Sequence, residues 1–327
     1  MKKRLLVVVL ALSLTAIVVA GCSQPTTGPT AGGTTTGTAS ATKTPVKIGS
    51  KIDTEGQVLG QIIIQALQAK GITVEDKTRT GTTDVVRKAL TVGEIDGYPE
   101  YTASALTQFF PGSTIPTDTL KNAAKSYALV AGLDLSKNQI VWLPPAPANN
   151  TWAVAIPAKL SKDKNIKTLA DWAKYINGGG AVKVAGSQEF FTRSDAFPAF
   201  EQAYGFKLKP DQKVILATGD TAVTEKAASQ GTNGTNASMA YGTDGSVAAL
   251  SLATLEDPKQ VQPVYAPAPT FRAATIKAYP EIATTLAPIF AKLDTAALQK
   301  LNGDVAVGGQ PAAAVAKTWL QANGFLK

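Results

Sequence analysis

Residues 80–102 read TGTTDVVRKALTVGEIDGYPEYT, and the order of features in this stretch decides the fold class. Gly81-Thr82-Thr83 opens a helix that runs through Val85, Val86, Ala89 and Leu90, whose spacing places them on one helical face. Gly93 closes it. Residues 94–98 return as a strand, and Tyr101-Thr102 starts another helix. Upstream, Val46-Lys47-Ile48-Gly49 is a short strand. Asp53 or Thr54 caps a helix whose Val58, Leu59, Ile62, Ile63, Ala66 and Leu67 share a face. Gly71 ends that helix, and Ile72-Thr73-Val74 is the next strand. Strands and helices that alternate at this spacing predict an α/β fold with a parallel sheet.

The opening stretch has an internal echo. Residues 80–89 (TGTTDVVRKA) can be laid on residues 218–227 (TGDTAVTEKA), with six of ten positions identical. Each copy leads, after its helix, to a strand ending in tyrosine: Tyr98 and Tyr101 in the first, Tyr241 in the second. Two similar lobes would each present a helix start and a tyrosine at the carboxyl ends of their strands, where open α/β sheets bind ligands. Around the second copy, residues 169–175 read as helix, Gly178-Gly179-Gly180 as a turn, and 182–185, 214–217 and 237–241 as strands. Two Pro/Ala-rich stretches, 144–150 and 265–269, read as stiff extended crossovers between the lobes. The helical tail, 280–293 and 311–323, is expected to pack back on the first lobe.

Composition excludes whole classes of chemistry. The 327 residues contain no histidine, so Ser-His-Asp and Cys-His catalysis and histidine metal sites are out. One cysteine permits neither an intramolecular disulfide nor a thiolate zinc cluster. The net charge is +8, but its Lys and Arg residues are scattered, without the clustering of a nucleic-acid surface. Ser161-Lys162-Asp163-Lys164 matches the SxxK pattern of serine acylases. Its partner motifs are missing, since Ala196 follows Ser194-Asp195 and no Lys-Thr-Gly occurs, and the segment reads as a solvated turn. Scattered Asp and Glu give no metal site. The missing histidine and the missing acylase partners disfavour an enzyme.

The first residues read as address and tether. Lys2-Lys3-Arg4 precedes an apolar stretch, 5–20, that is short for a membrane span. Val19-Ala20-Gly21-Cys22 follows, which resembles the bacterial lipobox and implies lipidation of Cys22. Residues 23–45, rich in Thr, Gly and Pro, bury too little apolar surface to fold and read as a flexible spacer.

A set of motifs in one order then carries a family resemblance. Ile48-Gly49-Ser50-Lys51, Thr54-Glu55, Gly81-Thr82-Thr83, Gly93-Glu94-Ile95-Asp96, Tyr98-Pro99-Glu100-Tyr101-Thr102, Glu189-Phe190 with Arg193 and Asp195, and Tyr241-Gly242-Thr243-Asp244-Gly245 resemble the glycine-betaine/osmoprotectant-binding proteins of ABC importers. The stretch from Pro144 to Trp152 is most similar to a branch with low affinity for betaine. The resemblance implies an α/β, two-lobed, type II periplasmic-binding-protein-like fold. Each lobe would be a mixed, mostly parallel sheet with flanking helices, joined by a two-strand hinge. Residues 1–21 would be the signal peptide, 22–45 the lipidated tether, 46–151 plus 266–327 lobe I, and 152–265 lobe II. A monomer, extracytoplasmic and held to a bacterial membrane by its lipid anchor alone, would deliver a small osmolyte to permease and ATPase subunits, without a cofactor. A sensor module using the same cleft, or a binder of another small solute, are the alternatives.

Carried over residue by residue, the resemblance implies an aromatic cage of Tyr101, Trp152, Tyr241 and Tyr265, with Lys51, Ser104 and Arg193 on a carboxylate. Tyr98, Thr54 and Thr102 are further candidates. A trimethylammonium group has no N–H to donate, so aromatic faces must replace its hydration, at about 0.5–2 kcal/mol per ring. Arg193 offers a bidentate fork to a carboxylate and Lys51 a point charge. Each has a plainer reading. Trp152 and Tyr265 could fill core beside the crossovers, Arg193 could pair with Asp195 or Glu189 on the surface, and Lys51 could be a solvated loop charge.

Overall fold

The computed structural model describes residues 44–327 apart from Pro111 and Thr218. The expected signal peptide, Cys22 and all but the end of the tether lie outside the described residues. In chain order the strands are β1 (Val46–Lys51), β2 (Val74–Gly81), β3 (Gly97–Tyr101), β4 (Ile140–Trp142), β5 (Trp152–Pro157), β6 (Val184–Gly186), β7 (Lys213–Ile215), β8 (Ala237–Tyr241), β9 (Leu252–Thr254) and β10 (Pro267–Arg272). They form two five-stranded sheets, ordered β2-β1-β3-β10-β4 and β7-β6-β8-β5-β9.

The two sheets have the same wiring. β1 pairs in parallel with β2 and β3, and β6 in parallel with β7 and β8. β10 is antiparallel to β3 and β4, as β5 is to β8 and β9. The antiparallel share is therefore larger than "mostly parallel" anticipates. The sequence echo falls on equivalent pieces: helix Thr83–Val92 links β2 to β3, and helix Thr221–Gln230 links β7 to β8.

The helix Thr54–Gln68 buries Val58, Leu59, Ile62, Ile63, Ala66 and Leu67, the face that its periodicity predicts. A fully buried aliphatic side chain is worth about 1.5–3 kcal/mol. The tail helices Glu281–Phe290 and Ala312–Ala322 close the same core, as expected, together with Thr295–Ala306, which the reading missed. The second sheet's core is aromatic, built on Trp172, Phe190, Phe197, Phe200 and Phe206.

Several boundaries shift. β2 lies at Val74–Gly81 rather than 72–74, because Ile72 belongs to the core under the first helix while the strand itself is polar and half exposed. The strand expected at 94–98 is β3, three residues later. Ser161 lies inside a helix, Ala158–Lys164, and donates to the Ile166 carbonyl, so the segment is not a turn. The two crossovers run side by side: Ala146 N–H donates to the Pro267 carbonyl at 2.8 Å, and Asn150 N–H to that of Tyr265 at 3.0 Å.

Candidate functional site

The repeated wiring brings the carboxyl ends of β1, β3, β6 and β8 to one place, between the sheets. There a cavity of about 130 Å³ is lined by Lys51, Tyr101, Ser104, Trp152, Arg193, Tyr241 and Tyr265, all seven of the residues carried over as cage and carboxylate partners. Tyr98, Thr54 and Thr102 do not line it. Tyr98 is fully buried and donates to Glu100, Thr54 donates to Asp220, and Thr102 bonds the Val264 carbonyl and the Ala266 N–H at the crossover. Tyr98 and Thr102 bond within the first sheet and its crossover, while Thr54 reaches the helix start at Asp220 beyond the second sheet.

Trp152 opens β5 opposite Tyr241, which ends β8. This register sets their rings 4.7 Å apart, tilted by 42°. Tyr101 caps the start of helix Thr102–Gln108, and Tyr265 sits on the second crossover. Burial pushes the hydroxyls of Tyr101, Tyr241 and Tyr265 well above the usual phenol range, so all three stay neutral. The Tyr101 hydroxyl donates to Glu55 at 2.8 Å, and that of Tyr265 to Asp195 at 2.8 Å. The rings are thus fixed from behind.

The basic side chains are buried and paired. Lys51 ends β1, contacts Glu100 at 2.8 Å and lies 4.9 Å from the Tyr101 ring centre. Arg193 grips Asp195 through Nε at 3.0 Å and Nη2 at 2.8 Å, with Nη1 3.6 Å from Glu189. Burial opposes the Arg193 charge, but the Asp195 hydrogen bonds and charge outweigh it and hold its pKa above the ordinary value. Burial likewise opposes the Asp195 charge, and Arg193 still keeps that carboxyl below the usual range. The surface pair that the sequence left open is therefore a pair within the cavity wall, only 8–9% exposed.

The role of Glu55 was missed, and those of Asp53, Asp195 and Glu189 go beyond the helix cap and the Arg193 pairings that the sequence offered. Glu55 accepts from Tyr101, Asn150 and Asn302, each at 2.8 Å. Asp195 gathers Arg193, Tyr265 and Thr107, so it joins both sheets' helices to the cavity. Asp53 lines the cavity and caps helix Thr54–Gln68. Burial raises its carboxyl to about 6, against the Gly56 N–H and Lys51. Glu189, which lines the cavity with Thr83, accepts from the Thr83 N–H at 3.1 Å and its hydroxyl at 3.0 Å. Glu189 and Arg193, four residues apart, were the available signal for one of these.

Residues 44–322 match the model of a family described as the substrate binding domain of ABC-type glycine betaine transport systems. The chain is 51% identical over 265 residues, 81% of this chain and 86% of the relative, to the glycine betaine-binding protein YehZ of Escherichia coli. The apo structure of that protein superimposes with a TM-score of 0.63, covering 86% of this chain and 99% of the other. A crystal structure described as a glycine betaine/carnitine/choline ABC transporter shares the fold, with a TM-score of 0.68 at 21% identity, over 86% of this chain and all of the other. With a matching family model over most of its length and a half-identical relative, the chain belongs to the family of substrate-binding domains of ABC-type glycine betaine transport systems.

Proposed function

We propose that the chain captures glycine betaine or a closely related quaternary-ammonium zwitterion in this cavity and hands it to a permease. The observation that carries the reading is the convergence of four aromatic rings with Arg193, Lys51 and Ser104 on one enclosed space. Rings with buried, neutral hydroxyls offer quadrupole faces to a cation that cannot donate a hydrogen bond. Arg193 still has Nη1 free of the Asp195 fork, so it can meet a carboxylate without giving up the partner that orients it.

We take 46–151 plus 266–327 and 152–265 as two lobes that close over the solute by bending at the paired crossovers. The cavity needs residues from both, so binding favours the closed arrangement. A lipid at Cys22, attachment outside the cytoplasmic membrane, and action as a monomer complete the reading. Among the described residues no helix is long and apolar enough to cross a membrane.

Titration calorimetry tests it. Glycine betaine should bind the parent protein, and Tyr241→Ala should abolish that binding. Arg193→Ala should weaken betaine about tenfold or more, the value of a charge-assisted hydrogen bond, and choline far less. Equal losses for the two would reject the carboxylate role.

One observation favours a second solute class. Both basic groups already have carboxylate partners, and Asp53 and Glu189 also line the space. This balance suits a cation without a carboxylate tail, such as choline, and the same titration decides between them.

A further inference from the structure

The cavity reaches beyond the four rings. Trp152 opens β5 and Tyr241 ends β8, whereas Ile215 ends β7, the edge strand of the same sheet. β8 and β6 lie between β5 and β7, so three strand spacings, about 14 Å, separate Trp152 from Ile215. The first sheet repeats the pattern: Tyr101 ends β3, Gly81 ends the edge strand β2, and Lys51 of β1 stands between them, in register with Gly81. Gly81 and Ile215 line the same cavity as the rings, as do the residues that follow each of them. The skeleton of glycine betaine, from nitrogen through two carbons to a carboxylate oxygen, spans at most about 4 Å. Seated among the rings, such a solute does not reach the edge strands.

Charge is sorted along this length. The charged side chains of the lining, Lys51, Asp53, Glu189 and Arg193, end or follow β1 or belong to the helix after β6, the strands next to the edge. The junctions after β2 and β7 bring none. Gly81, Thr82 and Thr83 face the cavity from one sheet, and Ile215, Leu216 and Ala217 from the other. Thr83 gives its N–H and its hydroxyl to Glu189. Ile215 is 52% exposed, one of the few large aliphatic side chains left in solvent among the described residues, and Ala217 is exposed as well. Rings, then charges, then an uncharged apolar end call for an occupant built in that order: a quaternary ammonium, a carboxylate and a short hydrocarbon chain. We infer that the edge-strand end of the cavity is a subsite for such a chain, so that the chain-bearing esters and alkyl derivatives of quaternary-ammonium carboxylates are solutes of this protein, with Ile215 setting the preference. This rests on the capture proposed above and widens its solute class. Covering Ile215 removes apolar surface from water on both partners, which glycine betaine cannot do.

Titration calorimetry on the full chain tests it, with glycine betaine, acetylcarnitine and butyrylcarnitine as solutes. Butyrylcarnitine should bind about tenfold more tightly than acetylcarnitine, since each of its two further methylenes is worth up to about fourfold when buried. Ile215→Ser should reduce that gain to about threefold or less. It should leave glycine betaine within about twofold of the parent and the melting temperature within about 2 °C, as for an exposed substitution. Tyr241→Ala should abolish binding of all three, which ties the chain effect to the same cavity. A parent that binds glycine betaine and gains nothing from the longer chain overturns this inference alone, as does an Ile215→Ser variant that keeps the full gain. A parent that shows the gain with the esters but does not bind glycine betaine supports the subsite and refutes the choice of solute made above. A parent that binds none of the three overturns both.

Discussion

Position 87 in the first repeat and position 225 in the second are equivalent, buried, and filled by opposite charges. Arg87 forms a fork with Asp134, at 2.8 and 2.5 Å, and Trp142 and Asn138 satisfy the rest of that carboxylate. Glu225 instead faces Asp244, which also accepts from Thr221 and from the Tyr241 N–H. Ser246 donates to the other Glu225 oxygen, and Glu225 Oε1 has no further donor among the described residues. Burial, and then the neighbouring acid, raises the Asp244 carboxyl well above its ordinary value, and burial raises that of Glu225. One repeat neutralises its buried charge with a cation and the other with a proton. The same scaffold therefore has two kinds of internal electrostatics, an ion pair in one repeat and a pair of acids with raised carboxyls in the other.

The comparison breaks most visibly at Arg87. Arg87→Ala leaves the fully buried Asp134 without its counter-charge and should cost about 3–5 kcal/mol, the usual penalty for removing one partner of a buried pair. A denaturant titration measures it. A loss below about 1 kcal/mol would mean that Trp142 and Asn138 suffice and that the cation is incidental.

The acid pair sets the next effect. A carboxyl whose folded pKa is raised holds its proton longer in the native state than in the unfolded one. Its contribution to stability is full below the ordinary values of 3.8 and 4.5 and is lost as pH rises through the folded value. Across that window stability should fall by up to about 1.4 kcal/mol per pH unit. Melting temperatures from pH 5 to 8 should therefore decline in the parent and decline less steeply in Glu225→Gln, where an amide donates permanently to Asp244 and the raised Asp53 carboxyl continues to lose its contribution. Asp195, with its lowered carboxyl, works in the opposite sense and loses its contribution only as the solution becomes strongly acidic. A parent without the decline would place the shared proton elsewhere.

What could be read beforehand divides along a physical line. Helix Thr54–Gln68 was legible because burial on one side writes a 3.6-residue period into the chain. The strand end at Tyr241 and the glycine that closes helix Thr83–Val92, at φ 82°, carry local signals of equal strength. β2 was not legible. As an edge strand it is held by backbone bonds to β1, its side chains face solvent, and no alternation results. Helix Thr295–Ala306 was hidden by Gly303, which looks like a breaker but sits where the backbone of Gly245 crosses, its Cα 3.5 Å from where a Cβ would stand. The cavity's rings and basic groups came from the family resemblance. The bonds that the carboxylates make to those rings did not, because Glu55 and Asp195 act on tyrosines 46 and 70 positions away, and no spacing reports such partners.

The two helix starts sharpen the comparison at the smallest scale. Helix Thr221–Gln230 carries its own cap, since Asp220 accepts from the Ala222 N–H at 3.1 Å. Helix Thr83–Val92 has no side-chain cap of its own, and Glu189 supplies one from the other sheet. A local cap acts whenever the helix exists, whereas under the closing motion proposed above a borrowed one acts only while the cavity is shut. Asp220→Ala should therefore lower thermodynamic stability by about 1 kcal/mol, and Thr54→Val, which removes only the bond that Asp220 accepts from the other sheet's helix, separates that contact from the cap. Glu189→Ala should leave the unliganded protein's stability nearly unchanged and shift the balance from closed to open. A bond worth about 1 kcal/mol in the closed form alone lowers apparent solute affinity about fivefold. Calorimetry and thermal melts on both variants read the two quantities separately. If Glu189→Ala destabilised the empty protein as much as Asp220→Ala does, the Thr83 contact would persist without solute, and the two starts would be equivalent after all.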